Sequence, residues 1–203
     1  MADLKLYGVA ASRAFRCLWA AKELGLDYEH VPIGFDGSNR TPEYLQVNPM
    51  GKVPAIRDGD LTLWESLAIN LYLAKKHGKG LYPSTLEDEA RTWQWSFFGA
   101  TELDKPIGDW GRHTLVLPPE KRDPTIAAQA LQDLAPKLAT MEQALAGRPY
   151  LLGPAFTIAD LNLASVMYRM LWGDLSRTPA VKGWLDRCYE RPAAKEVRKM
   201  REK

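Results

Sequence analysis

The chain has 203 residues, 46% of them hydrophobic, which is enough for a sizeable core without disulfide or metal staples and suits one large domain or two small ones. Its 27 basic and 25 acidic residues leave a net charge of +2 at pH 7, which removes any electrostatic case for nucleic acid as a partner. Two distant cysteines, Cys17 and Cys188, form no Cys-x-x-Cys pair and have no histidine spacing for zinc; no long apolar run or leader-like N-terminus appears, so no metal, no membrane and a cytoplasmic location are expected.

In chain order, Leu4 and Leu6 alternate with Lys5 and Tyr7, which predicts a strand over residues 4–8. Phe15, Leu18, Trp19, Ala21 and Leu24 fall at helical spacing before Gly25 and predict a helix over 12–24. Residues 28–33 read as a second strand, parallel to the first. A polar, glycine-bearing loop over 34–39 is followed by Thr-Pro-Glu-Tyr-Leu, a short helix with proline at its start. A hairpin over 55–64 is predicted from its Asp58-Gly59 turn signal, and a helix begins at Glu65-Ser66 and stops at Gly78. The order β-α-β-α-β-β-α is thioredoxin-like, although the cysteine pair of disulfide exchange is missing.

Strand signals then almost vanish, which predicts an all-α helical bundle. The expected domains are residues 1–80 and 87–203, joined by a linker at about 81–86. Pro106 and Gly108 should break or kink the first long helix after about residue 104, and Pro136 should bend or divide a second helix over 126–145. Phe156-Thr157-Ile158-Ala159-Asp160-Leu161 reads as a capping box with a hydrophobic staple, and two final helices over 179–190 and 193–201 are split by Arg191-Pro192. The basic residues at the C-terminus suit the helix dipole and read as a solvated last turn.

The stretch from Asn48 to Ile69 is the most informative about function. Proline at 54 cannot donate to a strand ladder, so Val53 keeps backbone groups for a ligand; an extended peptide pairing there can rest a carboxylate on the helix opening near Ser66. The succession Asn-Pro-x-Gly-x-Val-Pro, Asp-Gly and Glu-Ser resembles the glutathione-binding half of the cytosolic glutathione transferases, and Tyr-Leu-Leu-Gly followed by Phe-Thr-Ile-Ala-Asp-Leu resembles their helical domain. The likeness, to serine-type and bacterial-like members, runs over nearly the whole chain. It implies a cis bond before Pro54, pairing of Val53 with the cysteinyl backbone of glutathione, and Glu65 and Ser66 on its γ-glutamyl end. It further implies Asn39, Arg40 and Lys52 around the glycine carboxylate, glutathione as co-substrate, a small electrophile as second substrate, and a homodimer.

Catalysis by such a protein requires the thiolate, which makes up only about 3% of a thiol of pKa near 8.5 at pH 7. Ser12, just after the first strand at a helix N-terminus, matches the catalytic serine of the serine-type transferases and also suits a helix cap. Ala10 and Ala11 stand where many relatives carry proline, and Arg13 or a backbone amide competes as the donor. Arg16 matches an arginine one turn on, Cys17 reads as buried and inert, and Trp110 and His113 are candidates for the electrophile site. The expected activity is conjugation; glutathione-dependent peroxide or disulfide reduction, better signalled by cysteine at 12, and a non-catalytic interaction module are the alternatives.

Overall fold

The computed structural model describes residues 3–202; Met1, Ala2 and Lys203, at the outer ends of the two expected domains, lie outside the described residues. The chain forms two compact units, residues 1–82 with 190–203, and residues 83–189.

In the first unit, β1 (Leu4–Tyr7) is one of the two inner strands of a four-stranded mixed sheet. It runs parallel to β2 (Glu29–Val31), with Leu6 opposite His30, and antiparallel to β3 (Ala55–Asp58), with Leu6 opposite Ile56. β4 (Leu61–Trp64) closes the order β2-β1-β3-β4. Helix α1 (Ala14–Glu23) buries every residue from Ala14 to Ala21 and packs against α3 (Ser66–His77); α2 (Pro42–Leu45) is a single turn capped by Thr41. Leu6, Leu18, Ile56, Ile69 and Leu73 are fully buried between sheet and helices, which is the hydrophobic stabilisation that fixes register here. The unit is the thioredoxin-like arrangement expected, with one local correction. Asp58 pairs with Leu61, so the central turn residues are Gly59 and Asp60, with Gly59 at φ +59° as the first central position of a hairpin turn requires. Asp58 instead anchors the turn, accepting from Tyr72 Oη at 2.9 Å and Lys76 Nζ at 2.6 Å on α3.

The second unit is all helical. Helix α4 (Leu86–Phe98) continues through a π-helical stretch, Gly99–Leu103, into α5 (Asp104–Gly111) and a second π-helical stretch, Arg112–Val116, so of the break or kink expected at Pro106 and Gly108 a break does not occur. The reason lies in the widened turn before Pro106, which relieves the clash a proline ring makes with the carbonyl four residues back. That carbonyl, of Glu102, accepts from Lys137 Nζ at 3.0 Å. Helix α6 (Pro124–Leu145) likewise runs unbroken through Pro136, beginning at Asp123, whose carboxylate accepts from the amides of Thr125 and Ile126.

Every residue of α7 (Ile158–Val166) is buried, as expected of a helix surrounded by others. Its polar groups are paired: Asn162 donates to Ser96 Oγ at 2.9 Å, and Ser96 to Thr92 O at 2.8 Å. The Asp160 carboxylate accepts from Thr157 N, Thr157 Oγ1, Leu151 N and, across to α8 (Pro179–Glu190), Trp184 Nε1, at 2.8 to 3.0 Å. Burial pushes its pKa above the ordinary value, against the pull of those donors.

Helix α9 (Pro192–Arg201) was expected with the helical domain but packs against α1 of the first unit, burying Ala194 and Val197. No helix among the described residues is long and apolar enough to cross a membrane.

Candidate functional site

The expected site residues of the first unit lie on three segments, and Gly8 explains how two of them meet. Gly8 ends β1 at φ +129°, and a Cβ there would stand 2.6 Å from that of Ala14 and 3.0 Å from that of Val53. Only glycine lets the head of α1 and the Val53 loop approach the strand end together.

Between Gly8 and α1, the Ser12 hydroxyl donates to Val9 O at 2.7 Å and accepts from Ala14 N at 3.0 Å. Ser12 therefore satisfies one of the free amides of the helix start, and it is a buried polar residue, 9% exposed. Arg13 is exposed and makes no side-chain cap.

The second segment is a scaffolded loop. The Lys52 carbonyl accepts from Tyr44 Oη at 2.6 Å and Asn48 Nδ2 at 2.7 Å, while Asn48 Oδ1 takes the amide of Met50 at 3.0 Å. Asn39, buried, donates to Gly51 O at 2.7 Å, and Arg40 reaches Met50 O at 3.5 Å. Burial raises the Tyr44 phenol to about 12, so it stays a donor throughout the physiological range. The side chains of Arg40 and Lys52 remain exposed. The Val53–Pro54 bond is cis, and Val53 N–H and C=O have no hydrogen-bond partner among the described residues.

The third segment is the head of α3. Glu65 holds φ +73°, uncommon for a residue with a side chain, and presents that side chain to solvent; such an outlier is a pointer to function. Ser66, buried, is tied to α1: Arg16 Nη1 donates to its Oγ at 3.4 Å and Cys17 Sγ to its carbonyl at 3.5 Å. Arg16 thus braces the site from behind, and burial pushes the Cys17 thiol pKa far up, which makes it inert as a nucleophile.

In the second unit, Trp110 is buried in α5. His113 lines a groove of about 680 Å³ of mixed character, with Lys105, Asp109 and Arg112 beside Leu117 and Ile126, and its Nδ1 accepts from Asp123 N at 3.0 Å. Trp110 and His113 therefore have different surroundings, core and groove. Among the described residues no group of three His, Cys, Asp or Glu side chains is placed to hold a metal.

The residues that hold the loop, Tyr44 and Asn48, were missed as contributors. Asn48 stood inside the recognised motif and its spacing to Lys52 was a readable signal; Tyr44 reads only as a helix residue.

Comparison with known proteins identifies the family. The glutathione S-transferase N-terminal domain matches residues 2–75, and the glutathione S-transferase C-terminal domain matches residues 105–192. Glutathione S-transferase 1 of Zea mays is 35% identical over 206 residues, covering 97% of this chain and 96% of that protein. The theta class glutathione S-transferase of Xanthomonas axonopodis pv. citri, solved with glutathione bound, has a TM-score of 0.90 at 32% identity and covers 97% of each chain. Maize glutathione S-transferase I, solved in complex with an atrazine glutathione conjugate, has a TM-score of 0.88 at 34% identity over 98% of each chain. The chain belongs to the glutathione S-transferase family. It is accordingly a transferase that uses glutathione as co-substrate and conjugates it to electrophiles.

Proposed function

We propose that glutathione binds along the first unit, extended against Val53 with its sulfur at Ser12 and its γ-glutamyl end at Glu65 and Ser66. The observation that carries this reading is the packing at Gly8, which brings the Val53 loop and the head of α1 to one strand end. The backbone groups of Val53 then pair with the cysteinyl residue of the ligand as an added strand, beside the cis Pro54. Exposed Lys52 and Arg40 attract the glycine carboxylate, while Asn39 serves by holding Gly51 in place.

Ser12 turns its hydroxyl from Val9 O to the sulfur and stabilises the thiolate, with the α1 amides adding positive potential. The thiol proton passes to solvent, the sulfur lone pair forms a C–S bond to an electrophilic carbon, and that carbon releases its leaving group or opens its ring with the displaced electron pair. With serine rather than cysteine at position 12, the site favours conjugation over thiol–disulfide exchange. Trp110 and His113 are proposed for the electrophile site.

A homodimer is part of the same reading, supported by Leu86, Trp93 and Phe97, exposed along one face of α4. So is a cytoplasmic location, supported by two buried cysteines that are not joined in a disulfide.

Titration calorimetry with glutathione tests the binding mode. Ser66→Ala and Glu65→Ala each remove a contact to a charged end of the ligand, worth about 1.5 to 3 kcal/mol, so affinity should fall roughly tenfold or more. Unchanged affinity in both variants would sink the site.

A further inference from the structure

The basic C-terminal turn, expected to be solvated, carries a residue whose side chain is held by the protein. Arg201, the last residue of α9, is half-buried and its Nη1 donates to two carbonyls of the loop before α1: Ser12 O at 2.6 Å and Ala10 O at 3.0 Å. Its guanidinium lies over the Phe15 ring, 4.8 Å from the centroid. The helix that delivers it is fixed at its other end by Arg191, which forms a two-pronged pair with the Glu23 carboxylate at 2.8 Å on each arm, and along its length by Lys22 with Glu196 at 2.5 Å. Glu23 is itself held by Trp19 Nε1 at 3.0 Å. The α9 helix is therefore a strut along α1 whose tip grips the backbone on either side of Ala11.

We propose that Arg201 is a positioning residue for thiol activation: by bridging the carbonyls of Ala10 and Ser12 it fixes the direction from which the Ser12 hydroxyl reaches the glutathione sulfur. The inference rests on the reading of Ser12 as the donor. The need for such a brace follows from the geometry. The Ser12 hydroxyl now donates to Val9 O, within its own loop. When it turns to the sulfur that side-chain bond is lost; the Ser12 amide still donates to Val9 O at 3.0 Å, and contacts from outside hold the rest of the loop's shape. One guanidinium nitrogen carries two N–H groups in a rigid plane, which sets the separation of the two carbonyls it serves.

The test is the pKa of the bound glutathione thiol, read from thiolate ultraviolet absorbance against pH with glutathione saturating. It is compared among wild type, Ser12→Ala, Arg201→Gln, the double variant, and Lys199→Gln as an exposed cation on the same helix. Arg201→Gln should raise that pKa by about half a unit to one unit, or about three- to tenfold less thiolate at pH values below both, while Lys199→Gln leaves it at the wild-type value. In the Ser12→Ala background the same change should add nothing, because the group it positions is gone. Arg201→Lys, carried as a second variant, should shift the pKa in the same direction by less. If Ser12→Ala leaves the pKa unchanged, the reading of Ser12 fails. If Ser12→Ala raises it but neither Arg201 variant does, if the two shifts add, or if Lys199→Gln matches Arg201→Gln, the positioning role of Arg201 is overturned.

Discussion

The hydroxyl of Ser12 has two partners before any substrate arrives, and this decides how much of the activation it can supply. Lowering a thiol pKa from about 8.5 to about 6.5 takes roughly 2.7 kcal/mol, and a hydrogen bond to an anion supplies about 1.5 to 3. Releasing the Val9 carbonyl costs about 0.5 to 1.5 kcal/mol of that, so the helix-start amides contribute the remainder, up to about 2.7 kcal/mol. The Ser12 cap was legible because it is local, a hydroxyl two residues ahead of the first amide of α1 that it serves. Arg201 was not, because its partners lie 189 and 191 positions earlier and no periodicity links them. The same contrast separates Thr157 from Asp160. The capping box was readable, but Asp160 also accepts from Leu151 N and Trp184 Nε1, which the motif does not announce. Thr157→Ala should therefore lower stability by about 1 kcal/mol, whereas Asp160→Ala leaves several buried donors unmatched and should lower it by roughly 3 to 5 kcal/mol. Denaturant melts at pH 7 decide it; equal losses would mean the carboxylate acts only as a cap.

Elements whose cause is local were read correctly from the sequence, and those whose cause is a distant contact were not. The hairpin, α3 and the final helices have their punctuation in place: a turn glycine, Gly78 after the last turn, and Pro192 at the start of α9. The helix through Pro106 was misjudged because its continuity depends on a π-helical turn and on Lys137 reaching the Glu102 carbonyl from α6. The hairpin also carries a pH dependence. Burial alone would push the Asp58 carboxyl up, but hydrogen bonds from Lys76 and Tyr72 outweigh it and hold the pKa below the ordinary value. A carboxylate depressed in the folded state contributes stability that is present above its unfolded pKa of about 3.9 and lost as pH falls through the lower folded value. Asp58→Asn should therefore be less stable than wild type at pH 7, with the gap closing below about pH 4. Thermal melts across that range check the sign, and a gap that held or widened in acid would contradict it.

At the scale of the whole molecule, the break near residue 82 falls at the start of the expected linker, and the departure is α9, which joins the first unit at the far end of the chain. Nothing in its amphipathic pattern distinguishes a partner on α1 from one among the helices just before it. Leu86, Trp93 and Phe97 form an exposed apolar stripe on α4, and Phe97→Glu should shift the proposed homodimer toward monomer in sedimentation experiments. A wild-type chain already monomeric at micromolar concentration would contradict the dimer. The central claim, that Ser12 stabilises the glutathione thiolate, is tested most directly by the rate of conjugation against pH for wild type and Ser12→Ala with one electrophile. A thiol pKa near 6.5 puts about 75% of bound glutathione in the thiolate form at pH 7, so the variant should lose about one to two decades of rate there and regain most of the difference by pH 9. An unchanged pH profile in Ser12→Ala would show that the hydroxyl is a helix cap alone.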